Sequence, residues 1–323
     1  MLGDLTADLT LAVDRFPREG EDAFATYRRM STGGFGANVG IVLARLGHRP
    51  RLISNVGDDD WGRLAVETLV RHGVDVTAVA RDRSAPTHLT LIVVSANGER
   101  TMVGHRGASG YAGSLPTLDH GPPGPPAALV MSGYALFGGE RLAQARQAIR
   151  SANLAGLPVV LDLPTELPEA VQVAVREVLD QVRILVVGGA EICRLTGRAD
   201  PAGAAESLCA AGRTVVVTLG AGGCLAVECG TLVQIPALRV DPVDTAGAGD
   251  ALVAALTAAW LDGLGLPDAL ALANCFGAAA TLLRGTGTAM PGPDDVRDLI
   301  SGAESLSADA LAWLSRVPGA DWP

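Results

Sequence analysis

Asp250 closes the run Asp244-Thr245-Ala246-Gly247-Ala248-Gly249-Asp250, and the apolar stretch Ala251 to Trp260 follows at once. Small residues let the backbone turn tightly there. The amides of Ala248, Gly249 and Asp250 then fall at a helix start, where N–H groups lack intrahelical acceptors and the helix dipole favours anions. A carboxylate at such a spot can take the proton of a hydroxyl attacking a bound phosphate. Asp is also a common helix N-cap, and on this segment alone that alternative stays open. An ordinary cap, however, does not need two glycines and two alanines in front of it. A second run, Gly33-Gly34-Phe35-Gly36-Ala37-Asn38, leads into Val39 to Gly47. Its paired glycines permit close backbone approach to a ligand, and the Asn38 amide offers both donor and acceptor to hydroxyls. A Gly-rich turn opening a helix would read the same way. The run is not a dinucleotide fingerprint, because the position three beyond Gly36 is Val39.

Composition narrows the chemistry further. The 323-residue chain contains no lysine, so all 25 basic residues are arginine. A Walker A loop, a protein-kinase strand lysine and a pyridoxal Schiff base are all excluded. A net charge of -10 argues against a nucleic-acid surface, which needs clustered cations. Acidic residues Asp4 and Asp8 stand where a signal peptide would be basic, and no apolar run reaches the roughly 18 residues that span a bilayer. A cytoplasmic protein without membrane partners is expected. The five cysteines show neither a metal-binding spacing nor a disulfide pattern.

The elements that must position these residues alternate. Apolar strands are expected at 50–55, 128–132, 158–162, 183–187 and 214–219, with helices at 37–47, 60–73, 139–154, 167–180, 249–262 and 266–284. This is the pattern of a mostly parallel sheet covered by helices. Two segments break it, at about 11–32 and 87–105; in the second, alternating runs flank Ala96-Asn97-Gly98, a hairpin signal. They are expected to form a small β lid on a single domain spanning 1–323. The Pro- and Gly-rich stretch 113–127 reads as a surface connection.

Together the two runs resemble the signatures of the ribokinase (PfkB-type) family of carbohydrate and nucleoside kinases. Asp244 to Asp250 is similar to its DTxGAGD, and Gly33 to Gly47 to its GGxxxNxAxxLxRLG, with Gly40 where Ala is usual. Gly57 to Asp60, Gly98 to Thr101, Arg106 to Ala108, Thr218 to Gly220 and Gly285 to Pro291 follow in family order. The resemblance implies a three-layer α/β ribokinase-like fold and transfer of the γ-phosphoryl of ATP to a sugar or nucleoside hydroxyl. A non-catalytic sensor on the same fold is the remaining alternative. By the resemblance, Asp250 is the base and the backbone of Gly247, Ala248 and Gly249 the anion hole. Asp8, Gly34 and Asn38 would bind substrate, Thr218 and Gly220 would approach the nucleotide phosphates, and Asn274 would lie near the adenine. Glu191 would organise Mg2+ through water, with Gly188 where the family has Asn. A monovalent cation such as K+ would sit near loops 244–249 and 285–288, and lid strands would pair in a homodimer. Three departures stand out: Thr6 replaces a usual Asn, Asp162-Leu163-Pro164 lacks the Asn of Asp-Pro-Asn, and Met1-Leu2 leaves room for only a very short first strand.

Overall fold

A computed structural model describes residues 1–97, 99–109, 126–210, 212–301 and 306–317. The tip of the expected Asn-Gly turn at Gly98 and most of the 113–127 connection lie outside them. In chain order the elements are β1 (Thr6–Val13), β2 (Tyr27–Gly33), α1 (Phe35–Arg45), β3 (Arg51–Gly57), α2 (Asp60–Arg71), β4 (Asp75–Asp82), β5 (Leu89–Ser95), β6 (Arg100–His105) and β7 (Leu129–Ser132). They continue as α3 (Gly139–Leu154), β8 (Val159–Asp162), α4 (Glu169–Val178), β9 (Ile184–Gly188), α5 (Gly189–Thr196), α6 (Pro201–Leu208), β10 (Thr214–Thr218), β11 (Cys224–Glu228) and β12 (Thr231–Ile235). Four helices end the chain: α7 (Ala248–Leu261), α8 (Leu266–Thr281), α9 (Pro293–Ile300) and α10 (Ala308–Arg316).

The central strands carry almost only apolar residues because both of their faces are buried. Val130, Val160, Ile184, Val186, Val216, Cys224 and Ala226 pack with α1, α7 and α8. Their neighbours Met131, Leu161, Leu185, Val187, Val215, Val217 and Leu225 pack on the other side with α3, α4, α5 and α6. Helix, sheet and helix thus form three layers. The strand order is β12-β11-β10-β9-β8-β7, mostly parallel, with β11 antiparallel to both neighbours. The parallel pair β3-β4 joins through Leu2, which bridges to Ile53 and Met131. Backbone bonds from Leu2 N to the Val130 carbonyl (2.9 Å) and from Ile53 N to the Met1 carbonyl (2.8 Å) lay the chain start between β3 and β7.

A separate sheet, ordered β2-β1-β5-β6, forms the lid. It starts at Thr6 rather than near residue 11, because the chain continues in extended form through Asp8. Asp8 is therefore a mid-strand residue paired with Ser31 and Thr90. Helix α1 likewise begins at Phe35, two residues before the predicted start, which puts Asn38 in its first turn. Among the described residues no helix is long and apolar enough to cross a membrane.

Candidate active site

The turn ahead of α7 needs glycine at 247. Its φ is 78°, a left-handed conformation, and a Cβ there would lie 2.8 Å from the Met290 sulfur. The first helical bond runs from Ala251 N to the Gly247 carbonyl at 2.9 Å. The Ala248 amide makes only a long contact with the Thr245 carbonyl, 3.4 Å, and a side chain added at Gly249 would meet nothing within 4 Å. This helix end therefore opens onto free space, as an anion site requires. Asp250 stands in its first turn. Burial at the base of the cleft raises its carboxyl pKa from 3.8 to about 6, against the opposing effect of a 2.6 Å hydrogen bond from Asn38 Nδ2. Part of the residue still faces solvent.

Asn38 is buried where α1 packs on α7, and its Oδ1 accepts the Gly287 N–H at 2.8 Å. The amide expected to hold substrate hydroxyls is thus engaged at both ends, as a buried amide must be. Asp8 lies alongside. Its carboxylate accepts from the hydroxyls of Thr6 (2.9 Å) and Thr286 (3.4 Å), while burial raises its pKa. Gly33 makes room for it, since a Cβ there would fall 2.0 Å from Asp8 Oδ2. Gly34 caps α1 with φ 86°. The structure therefore brings Asp8, Gly34, Asn38 and Asp250 together through the loop at 286–287, although the first and last lie 242 positions apart in sequence.

A second group lines the carboxyl edge of the sheet, where open α/β sheets bind ligands. Asp162, Gly188 and Thr218 end β8, β9 and β10, and Gly188 pairs with Thr218. Gly220 turns the chain just beyond, with φ 56°. Glu191 stands in the first turn of α5 and folds its carboxylate over Gly188, where a Cβ would come within 2.1 Å of Oε2. Asn274 is set apart: buried on α8, it donates Nδ2 to the Pro236 carbonyl at 2.9 Å and so fixes the chain after β12. A cavity of about 380 Å³ lined by Pro158, Arg183 and Arg213 opens at the opposite, amino edge, away from these groups.

Sequence reasoning gave no site role to three groups here. Asp162 is pushed well above the usual carboxylate range, first by burial and then by the Asp250 charge. An acid ending the apolar run Val159 to Leu161 was the available signal. Tyr134 and Phe137 place their ring centroids 5.2 Å apart, and the Arg106 guanidinium lies 5.5 Å from the Phe137 centroid. Burial, then the Glu166 charge, raises the Tyr134 pKa, and Asp250 lies within electrostatic reach. Arg100 of the lid pairs with Asp244 of the first signature. Among the other aromatic residues, Phe35 is in the core, while Phe24 and Tyr27 are 91% and 53% exposed.

The family model for pfkB family carbohydrate kinases matches residues 1–293. The chain belongs to this family. The kinase is 32% identical over 291 residues to the aminoimidazole riboside kinase of Salmonella typhimurium, covering 83% of this chain and 88% of the relative. It is also 32% identical to the fructokinase of Klebsiella pneumoniae, over 82% of this chain and 90% of the other. The solved ribokinase of Arabidopsis thaliana, complexed with ribose and ATP, matches its fold with a TM-score of 0.75 at 23% identity, covering 94% of the kinase and 98% of that chain. The family match makes the chain a carbohydrate kinase.

Proposed function

We propose that the kinase transfers the γ-phosphoryl of ATP in line to a hydroxyl of a sugar or sugar-like substrate, with Asp250 as general base. The observation that carries this reading is the Asp250 carboxylate, held by Asn38 at the open N-terminus of α7. With a pKa of about 6 it is ionised at neutral pH, yet basic enough to accept the proton of an attacking hydroxyl. The backbone of Gly247, Ala248 and Gly249 faces the charge that develops on the transferred group. Asp8 and the backbone at Gly34 hold substrate hydroxyls, while Asn38 orients the base rather than the sugar. Thr218 and Gly220 border the nucleotide phosphates; Asn274 shapes the nucleotide side only through Pro236.

Among the described residues no cluster of three or more metal-ligating side chains exists. The single carboxylate of Glu191 beside Gly188 suits Mg2+, which keeps several waters and takes one or two carboxylates plus substrate phosphates. Mg2+ would neutralise phosphate charge and orient the γ-phosphoryl group. A monovalent cation fits less well, because Asp244 is already paired with Arg100.

A riboside is the second reading, favoured by the Tyr134–Phe137 pair, whose rings could cover an aromatic aglycone. We further propose a homodimer through the lid. Leu9, Met30, Leu91 and Val103 stand in one cross-strand row on its outer face, with Met30 and Val103 45% and 59% exposed. An ATP-consumption screen over pentoses, hexoses, sugar acids and ribosides tests the activity. Substrate-dependent ADP formation is the expected result; binding of a sugar without ADP formation would make the protein a sensor.

A further inference from the structure

Two arginines of the lid reach the loops that shape the α7 N-terminus. Pairing places Arg29 opposite Thr10 and Arg100 opposite Val94, on the same face of the lid sheet as Asp8. Arg29 Nη1 donates to the Arg284 carbonyl at 2.9 Å. Arg100 pairs through Nη1 with Asp244 Oδ1, and its Nη2 lies 3.3 Å from the Thr245 hydroxyl. Asp244 also gathers both loops, because Oδ1 accepts the Ala246 N–H and Oδ2 the Gly285 N–H, each at 3.0 Å.

Asp244 is the sole acid within 244–249 and 285–288. Its side chain is 18% exposed and that of Arg100 33%, so solvent screens the pair less than it would on an open surface. The carboxylate is thus surrounded by donors, one of them a permanently charged guanidinium. A free monovalent cation between these loops would share its only anionic ligand with Arg100 and would approach a second guanidinium at Arg29. Like charges at such range repel.

We propose that Arg100 is a positioning residue that supplies from the lid the positive charge these loops require, so that the kinase works without a monovalent cation between them. Lid closure and setting of the anion hole are then one event. When Arg100 docks, Asp244 is neutralised and holds the Ala246 and Gly285 amides in place; when the lid lifts, the carboxylate is left without its counter-charge and the turn ahead of Gly247 loosens. This rests on reading 247–249 as the anion hole.

The test compares turnover and melting temperature of the full chain in chloride salts of K+, Na+ and tetramethylammonium at equal ionic strength. Wild-type turnover should agree within about twofold across the three salts. Arg100→Met should lose about tenfold or more in kcat with little change in the sugar KM. It should then gain activity and melting temperature selectively in K+, and Arg100→Lys should recover part of the loss. Wild-type turnover that requires K+ would overturn the proposal, as would an Arg100→Met variant with full activity. If no sugar is turned over at all, the kinase reading fails rather than this one. The melting arm still decides: a wild-type protein stabilised by K+ over tetramethylammonium would contradict the proposal.

Discussion

The Asp250 carboxyl pKa of about 6 sets opposite pH trends for stability and activity. Folding raises this pKa, so its contribution to stability is fully present below the ordinary value of 3.8 and is lost as pH rises through about 6. As the proposed general base, Asp250 must be ionised to accept a proton. With ATP saturating, log kcat/KM for the sugar should rise with unit slope below about pH 6 and level off above it. Asn38→Leu removes the hydrogen bond that holds the pKa down, so the break should move upward. A wild-type break at the ordinary aspartate value would show that the base is not buried as described. Asp162 differs, because burial and then the Asp250 charge favour its neutral form. Asp162→Asn copies that neutral form and should retain kcat within about threefold, whereas a base replaced in this way loses about 10²-fold. Measuring kcat in both variants separates the two acids. At this scale the sequence revealed Asp250 and Asn38 as candidates but not the bond between them. That bond depends on how α1 packs on α7, and the Thr286–Gly287 link from Asp8 crosses nearly the whole chain.

At the scale of elements, the N-terminus of α7 depends on backbone geometry that only certain residues adopt. Gly247→Ala forces a Cβ into a left-handed conformation at a cost of about 1–2 kcal/mol and presses on Met290. It should lower the melting temperature by a few degrees and reduce kcat. Gly249 has no such conformation and no near neighbour, so Gly249→Ala should melt like wild type while its methyl group narrows the open space before the helix. Thermal denaturation beside kcat checks both; equal melting of the two variants would contradict the geometry. The helices and interior strands were legible because their apolar runs are continuous or helical in period. β4 was not, since its residues are half-exposed and mix Thr, Ala and Arg without clear alternation. β11 and β12, five residues each, went unread although Cys229-Gly230, both at positive φ, turn the chain tightly between them, and β1 concealed itself by carrying Asp8 in mid-strand.

For the whole molecule, the proposed dimer and the enclosure of the site both rest on the lid. Its inner face carries Asp8, Arg29 and Arg100 toward the catalytic loops, and its outer row of Leu9, Met30, Leu91 and Val103 is apolar. Met30→Asp with Val103→Asp places charges on that outer row and should convert a dimer to a monomer in sedimentation velocity. A wild-type monomer would refute the lid-paired dimer. The fold itself was readable from the motifs and the alternation of strands and helices, while the two-sided lid emerged only from strand register. The central claim is tested most directly by Asp250→Asn. Its ADP formation on a sugar that the wild type phosphorylates should fall about 10²-fold or more, with ATP affinity and melting temperature nearly unchanged. Turnover near the wild-type rate would leave Asp250 a helix cap and contradict the account.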